Sequence, residues 1–333
     1  MKRGGSSSGR WFGRAALTAL SFALGLALAE AALLPTRWSA REIYSRAGGW
    51  RHLEYGQAVG RVEKSWTADF RKNSLSLRGA EPVHPAIIAL GDSCTAGCFV
   101  PERETYAGRL AAGGVEVLNA GIPGFSSYQG AAWVRDSKIL DYHPKLVTIY
   151  YGWNDHWRAF LPERAFAWLR EAAPYSHAAS WILLRYERSL WQVDDTSHLF
   201  FSRVPLREYK ANLRELVREA RAAGAVAVLI TAPIEPRNGP PVEELRKDGR
   251  LPEFLDHEAY VGATREVAAE TGAGLVDFAA EYERRKTADA REYFSDFVHP
   301  NAKGHALLAG LLRPWAACAL AGSCPPRPEY AGR

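Results

Sequence analysis

Apolar residues cluster in five short runs along the chain, at Pro85–Leu90, Val115–Asn119, Lys145–Tyr151, Ala225–Thr231 and Gly274–Phe278. Runs of this length bounded by glycine, proline or polar residues predict strands. Between them the apolar positions change to a helical spacing, predicting helices over Glu102–Ala112, Tyr128–Leu140, Leu206–Ala223 and Glu258–Thr271, with a last helix over Ala302–Leu320. The third of these shows the period most clearly. Leu206, Leu213, Leu216 and Val217 fall on one face, Arg207, Lys210, Arg214 and Arg218 on the other, and Gly224 stands where a glycine cap belongs.

Strands alternating with helices predict an α/β domain with a parallel sheet. Right-handed crossovers then give a doubly wound, flavodoxin-like sheet ordered 2-1-3-4-5. The domain is expected over residues 85–320. Residues 37–84 are expected to form an appendage, in which 41–46 continue a helix and 71–79 form an extended arm or hairpin. Residues 321–333 are left as a tail.

Two stretches depart from this alternation. The first runs from Ala15 to Leu34, is apolar except for Glu30, and ends at Pro35-Thr36-Arg37. Its roughly 20 residues match the length of a membrane-spanning helix. Ala27-Leu28-Ala29 also resembles a signal-peptidase site, so residues 1–36 read as an anchor or a cleaved signal; the apolar residues beyond the site favour the anchor. Either way the chain is expected to be exported, with the basic head in the cytoplasm and the main domain outside it: membrane-anchored, or secreted or periplasmic after cleavage. The second stretch, 156–205, is too long for an ordinary connection and rich in aromatic residues, among them Trp157, Trp168, Trp181 and Trp191. Extra core, a lid or groove beside the site, and contact with a bilayer surface all fit it.

Composition changes the picture little. With 47% hydrophobic and 24% charged residues, the chain has a globular profile. Its formal charge is +5, but Lys2, Arg3, Arg10 and Arg14 supply four of those charges at the head, and no nucleic-acid partner is expected. Four cysteines are too few for a disulfide framework. Cys94 and Cys98 are expected to be packing residues, while Cys318 and Cys324 can pair in an oxidising compartment. No cysteine–histidine cluster has zinc spacing, so no metal is expected, and no cofactor is assigned.

The candidate chemistry lies at the ends of the strand runs. The first run ends in Gly91-Asp92-Ser93, which presents a serine at the carboxyl edge of the sheet, where ligands bind in open α/β folds. Asn119-Ala120-Gly121-Ile122-Pro123-Gly124, Gly152-Trp153-Asn154-Asp155 and Asp296-Phe297-Val298-His299-Pro300 follow in order. A serine needs a base within hydrogen-bond reach, and the Asp-x-x-His spacing brings a histidine and its orienting carboxylate together within one turn of chain.

In order and spacing these four stretches resemble the signature blocks of the SGNH (GDSL-type) hydrolase family, over about Pro85 to Trp315. The resemblance implies a Ser93, His299 and Asp296 triad. It also implies an oxyanion hole made by the backbone N–H groups of Ser93 and Gly124 and the side-chain amide of Asn154, with Gly121 as the rival for the second donor. Asn119, Asp92 and Asp155 are expected to brace turns, and His305 to lie on the helix surface or behind the site. Cys94 stands where the nominal motif has leucine. Thr95 occupies a position at which the α/β-hydrolase elbow requires glycine, so that architecture is excluded. The implied activity is hydrolysis of a carboxylic ester, an O-acetyl or short acyl group on a small molecule or polysaccharide. Transfer of the acyl group to an envelope polysaccharide is the alternative, and a non-catalytic carbohydrate-binding protein a more distant one.

Overall fold

The computed structural model describes residues 7–33, 44–45, 49–50, 71–75, 77–111, 113–172, 175–179, 181–183, 201–239 and 251–324. Five parallel strands form the central sheet: β1 Ile87–Gly91, β2 Val117–Gly121, β3 Leu146–Tyr150, β4 Val226–Ile230 and β5 Gly274–Val276. Their spatial order is β2-β1-β3-β4-β5, the doubly wound order expected from the sequence. Successive strand residues feed different cores. Ile88, Leu90, Val147 and Ile149 pack with Leu213, Leu216 and Val217, whereas Ile87, Ala89, Leu146 and Tyr150 pack with Leu308, Ala309 and Leu312. Burial on both faces is why the strands read as unbroken apolar runs.

Helices start and stop where caps dictate, and this shifts several expected boundaries. In place of one helix over Glu102–Ala112 there is a 3-10 turn at Glu102–Glu104 and then Tyr106–Leu110, because extended Thr105 caps the second piece by accepting from Gly108 N. The next helix, Ser127–Ser137, opens with a reciprocal capping box between Ser126 and Gln129 and stops at Lys138, whose φ is 54°. Leu206–Ala222 buries Leu213, Leu216 and Val217 as its period requires, and Gly224 follows its cap with φ 81°. Leu251–Thr271 begins earlier than expected. Phe278–Arg285 was not expected at all; Asp277 caps it and Phe278, Ala279 and Tyr282 form its buried face. Ala302–Ala321 closes the fold, with Cys318 bonded to Cys324 just past its end.

The N-terminal helix, Ser7–Leu33, includes a 21-residue stretch, Gly13–Leu33, of mean hydropathy 1.8, long and apolar enough to cross a membrane. Tyr44–Ser45 pairs antiparallel with Gly49–Trp50, so the two described residues of the helix expected across 41–46 are extended instead. Residues 37–43, 46–48, 51–70, 184–200 and 325–333, with the expectations placed on them, lie outside the described residues.

The arm at 71–79 is a hairpin closed by Asn73 N to Leu77 O (2.8 Å) and Gly79 N to Arg71 O (3.0 Å). Its Arg78 bridges antiparallel to Asn119 at the sheet edge. Fully buried, the Arg78 guanidinium donates to the carbonyls of Ala96 (2.8 Å), Gly97 (2.6 Å) and Val100 (2.8 Å). The ends of the 156–205 insertion are tied together as a short ribbon in which Arg158–Ala159 pairs with Phe201–Ser202.

Candidate active site

Three adjacent strands end level with one another: Gly91 is in register with Gly121 of β2 and with Tyr150 of β3. Ser93, Gly124 and Asn154 therefore leave the sheet side by side. Ser93 opens a four-residue helix, Ser93–Ala96, that turns directly across β1. A Cβ on Gly91 would lie 2.1 Å from Thr95 Oγ1 and 2.6 Å from Tyr150 O, so only glycine fits beneath that turn.

The Ser93 hydroxyl is 2.8 Å from His299 Nε2, and His299 Nδ1 is 2.8 Å from Asp296 Oδ2. The first of these contacts joins residues 206 positions apart in the chain. The other carboxylate oxygen of Asp296 accepts the backbone N–H groups of Val298 (2.8 Å) and His299 (2.7 Å), which explains the Asp-x-x-His spacing. Burial alone would raise the Asp296 pKa. The bonds from His299 and the two backbone amides outweigh it and hold the carboxyl below its ordinary value. Asp296 is thus ionised and fixes the imidazole with Nδ1–H toward it and Nε2 toward the serine. Phe99 packs edge-on against the ring at 4.8 Å. Cys94 Sγ–H donates to Val298 O at 3.6 Å, a tie between serine turn and histidine loop that a leucine at this position lacks. Burial pushes the Cys94 thiol well up, which keeps the donor in place.

Around Ser93 the donor groups differ in how they are engaged. Neither Ser93 N–H nor Gly124 N–H donates to another described residue. Gly121 N–H, by contrast, is held by Asn119 Oδ1 at 3.1 Å, while Asn119 Nδ2 braces Thr95 O at 3.1 Å. Gly124 follows Pro123 in a turn closed by Phe125 N to Ile122 O (3.0 Å), and its φ of 79° requires glycine. Asn154 is buried, and its Nδ2 donates to Asp92 Oδ2 (3.2 Å) and Phe125 O (3.1 Å). Both amide protons thus have acceptors, and donation to a substrate requires exchanging one of them. Asp92 also accepts from Cys94 N (2.8 Å), capping the serine helix. Burial raises its pKa to about 6, although the Cys94 and Asn154 bonds and the nearby His299 pull the other way.

A buried ion pair from the insertion grips this same loop. Arg203 Nε bonds to Glu163, its Nη1 donates to Gly124 O (2.8 Å), and its Nη2 donates to Gln129 Oε1 (2.5 Å). Glu163 in turn accepts from Ser126 Oγ (2.7 Å), and both charged side chains are almost wholly buried. No local pattern marked Arg203 or Glu163 in the sequence. Asp155 braces the loop as expected, accepting Ser127 N (2.9 Å) and Oγ (2.5 Å). His305 is not on the helix surface. It is fully buried behind the site, where Nδ1 accepts from Tyr106 N at 3.2 Å.

Beneath the Asn154 turn, His156 and His257 are buried together. His257 Nε2–H donates to Ala232 O (2.8 Å), so its Nδ1 accepts from His156 Nε2–H (3.1 Å), and Trp153 stacks on His257 at 4.2 Å. Burial lowers the His257 pKa to about 4. Between that value and the ordinary one near 6.5, the unfolded chain takes up a proton that the folded one refuses. The resulting stabilisation is complete above about pH 6.5 and is lost as pH falls toward 4. Comparison of wild type with His257→Gln by urea unfolding should show their stability difference shifting by about 3 kcal/mol between pH 7 and 4, the variant losing less on acidification. A pH-independent difference would contradict a neutral buried His257.

A family model described as GDSL-like Lipase/Acylhydrolase matches residues 89–307, well over half of the chain. Among solved structures, a lipase/acylhydrolase from Enterococcus faecalis is 19% identical, with 69% of this chain and 95% of that one covered at a TM-score of 0.45. A GDSL-like lipase from Bacteroides thetaiotaomicron is 14% identical, covering 83% and 100% at 0.47. An acetylxylan esterase from Geobacillus stearothermophilus is 22% identical, covering 68% and 92% at 0.43. No curated protein matches the chain in sequence. With the family model spanning the sheet and the loops at its carboxyl edge, the chain belongs to the GDSL-like lipase/acylhydrolase family, enzymes that act on ester bonds.

Proposed function

We propose that the chain is a serine esterase that cleaves a carboxylic ester, an O-acetyl or short acyl group, with Ser93 as nucleophile, His299 as general base and Asp296 as the group that orients it. The observation that supports this most is the unbroken series Ser93 Oγ, His299 Nε2, His299 Nδ1, Asp296 Oδ2, with both contacts at 2.8 Å. In this reading Ser93 Oγ attacks the ester carbonyl carbon as its proton passes to His299 Nε2. The tetrahedral oxyanion is met by the N–H groups of Ser93 and Gly124 and by Asn154 Nδ2. Collapse breaks the carbon–oxygen bond, and His299 returns the proton to the leaving alcohol. A water then attacks the acyl-enzyme, giving its proton to His299, and release of the carboxylic acid restores Ser93. The Gly13–Leu33 helix anchors the chain, with the esterase domain outside the cytoplasm.

A serine-directed fluorophosphonate probe should label the enzyme at Ser93. An activated acetyl ester, supplied with and without an envelope polysaccharide, should yield free acetate in both cases. Acetylated sugar that rises as acetate falls would make the chain a transferase instead. For the oxyanion hole, Asn154→Ala should lower kcat by about 10²–10³ with little change in KM. The exchange of acceptors described for Nδ2 makes this a transition-state interaction; a raised KM at constant kcat would make Asn154 a ground-state binder.

A further inference from the structure

Glu30 is the only charged residue between Ala15 and Leu34, and its partners are not within its own helix. Its carboxylate accepts the Ser176 hydroxyl, His177 N (2.9 Å) and Ala178 N (3.2 Å), and His177 Nδ1 stands 3.4 Å away. Ser176 Oγ also accepts Ala179 N (3.0 Å), so Glu30 and Ser176 together cap the helical turn that begins at 177. The apolar span ends at Leu33, and Glu30 lies three residues inside that end, about 4.5 Å along the helix axis. Residues 176–178 are therefore held within one helical turn of the edge of the hydrocarbon.

The side chains flanking this contact are unusual for a solvated surface. Outside the N-terminal helix, six of the nine exposed large apolar residues described belong to the 156–205 insertion, namely Phe160, Trp168, Tyr175, Trp181, Ile182 and Phe201. Trp168, 67% exposed, and Tyr175, 71% exposed, precede the contact in sequence, and Trp181 follows it. Tryptophan and tyrosine are the side chains enriched at the headgroup level of a bilayer. We infer that the exposed aromatic residues of the insertion around 168–181 rest on the outer bilayer surface, and that Glu30 pins them there. The bilayer is the occupant that the geometry favours, because the contact fixes the insertion at the end of a membrane-length helix. This rests on the anchor reading of Gly13–Leu33, and it gives that anchor a second role: it orients the catalytic domain instead of only tethering it.

The test uses the full chain in phospholipid vesicles. Cys94 and Cys98 are buried and Cys318 is bonded to Cys324, so a cysteine introduced at an exposed position can be labelled selectively. A bimane label at Trp168→Cys should be quenched several-fold more strongly by lipids carrying a nitroxide near the headgroup than a label at Arg218→Cys, an exposed position on the 206–222 helix. Adding Glu30→Ala should return the Trp168→Cys signal toward that control while the protein stays resistant to carbonate extraction. Equal quenching at 168 and 218 in a chain that is retained and still carries Met1 would overturn the surface inference alone. Shielding at 168 from aqueous iodide without lipid quenching, dependent on protein concentration or on added polysaccharide, would also overturn it. Release by carbonate, or a mature chain starting at Glu30, would remove the anchor reading and this inference with it.

Discussion

Ser93→Ala is expected to lower kcat for ester hydrolysis by on the order of 10⁶-fold and to abolish fluorophosphonate labelling, since removal of a serine nucleophile leaves only binding and oxyanion stabilisation. The fold should be unaffected. The hydroxyl is half-buried and its only bond in the site is to His299, so thermal unfolding should move by no more than about 0.5 kcal/mol equivalent. The alanine variant also leaves the Asp92 cap on Cys94 N in place, so the serine turn keeps its geometry. Persistent labelling or turnover in the variant would assign the chemistry to another residue.

Arg203→Ala is the substitution expected to damage the fold most. It leaves Glu163 buried without its countercharge and strips donors from Gly124 O and Gln129 Oε1. Breaking one partner from a buried pair costs about 3–5 kcal/mol. Because Gly124 loses the contact that fixes its carbonyl, kcat should also fall, by up to about 10²-fold, with KM little changed. Arg203→Lys separates the two effects. Lysine restores a charge opposite Glu163 but cannot fork to three acceptors at once, so stability should recover more than kcat does. A loss of stability below about 1 kcal/mol in the alanine variant would show that the pair is not a structural element.

The contrast between these two residues shows what a sequence makes legible. Ser93, Gly124, Asn154, Asp296 and His299 each sit at the end of a strand run or in a short motif, and the strands themselves were readable because burial on both faces keeps them apolar. The strand order matches the one expected from right-handed crossovers in a flavodoxin-like doubly wound sheet. Arg203 was not readable, since its acceptors come from residues 124, 129 and 163 and no local period records that convergence. The resemblance implies the Asn154 amide as an oxyanion donor, yet its protons face Asp92 and Phe125 in the structure. Residue type announces what a group can do, not what already occupies it. Helix ends moved for a related reason. Thr105 and Asp277 each open a helix through a side-chain cap, and the apolar period around Tyr106 and Phe278 was too short to reveal the break or the start.

Arg78 bears on where a working enzyme can begin. Every residue named in the proposed chemistry lies beyond Pro85, and a fragment cut at the first strand would still carry all of them. Such a fragment would lose the guanidinium that donates to the carbonyls of Ala96, Gly97 and Val100 at the far end of the serine turn. A buried acceptor left without a donor costs about 1–3 kcal/mol. A fragment meant to keep the serine turn as the structure has it is therefore expected to start no later than the 71–79 hairpin, upstream of the first signature residue.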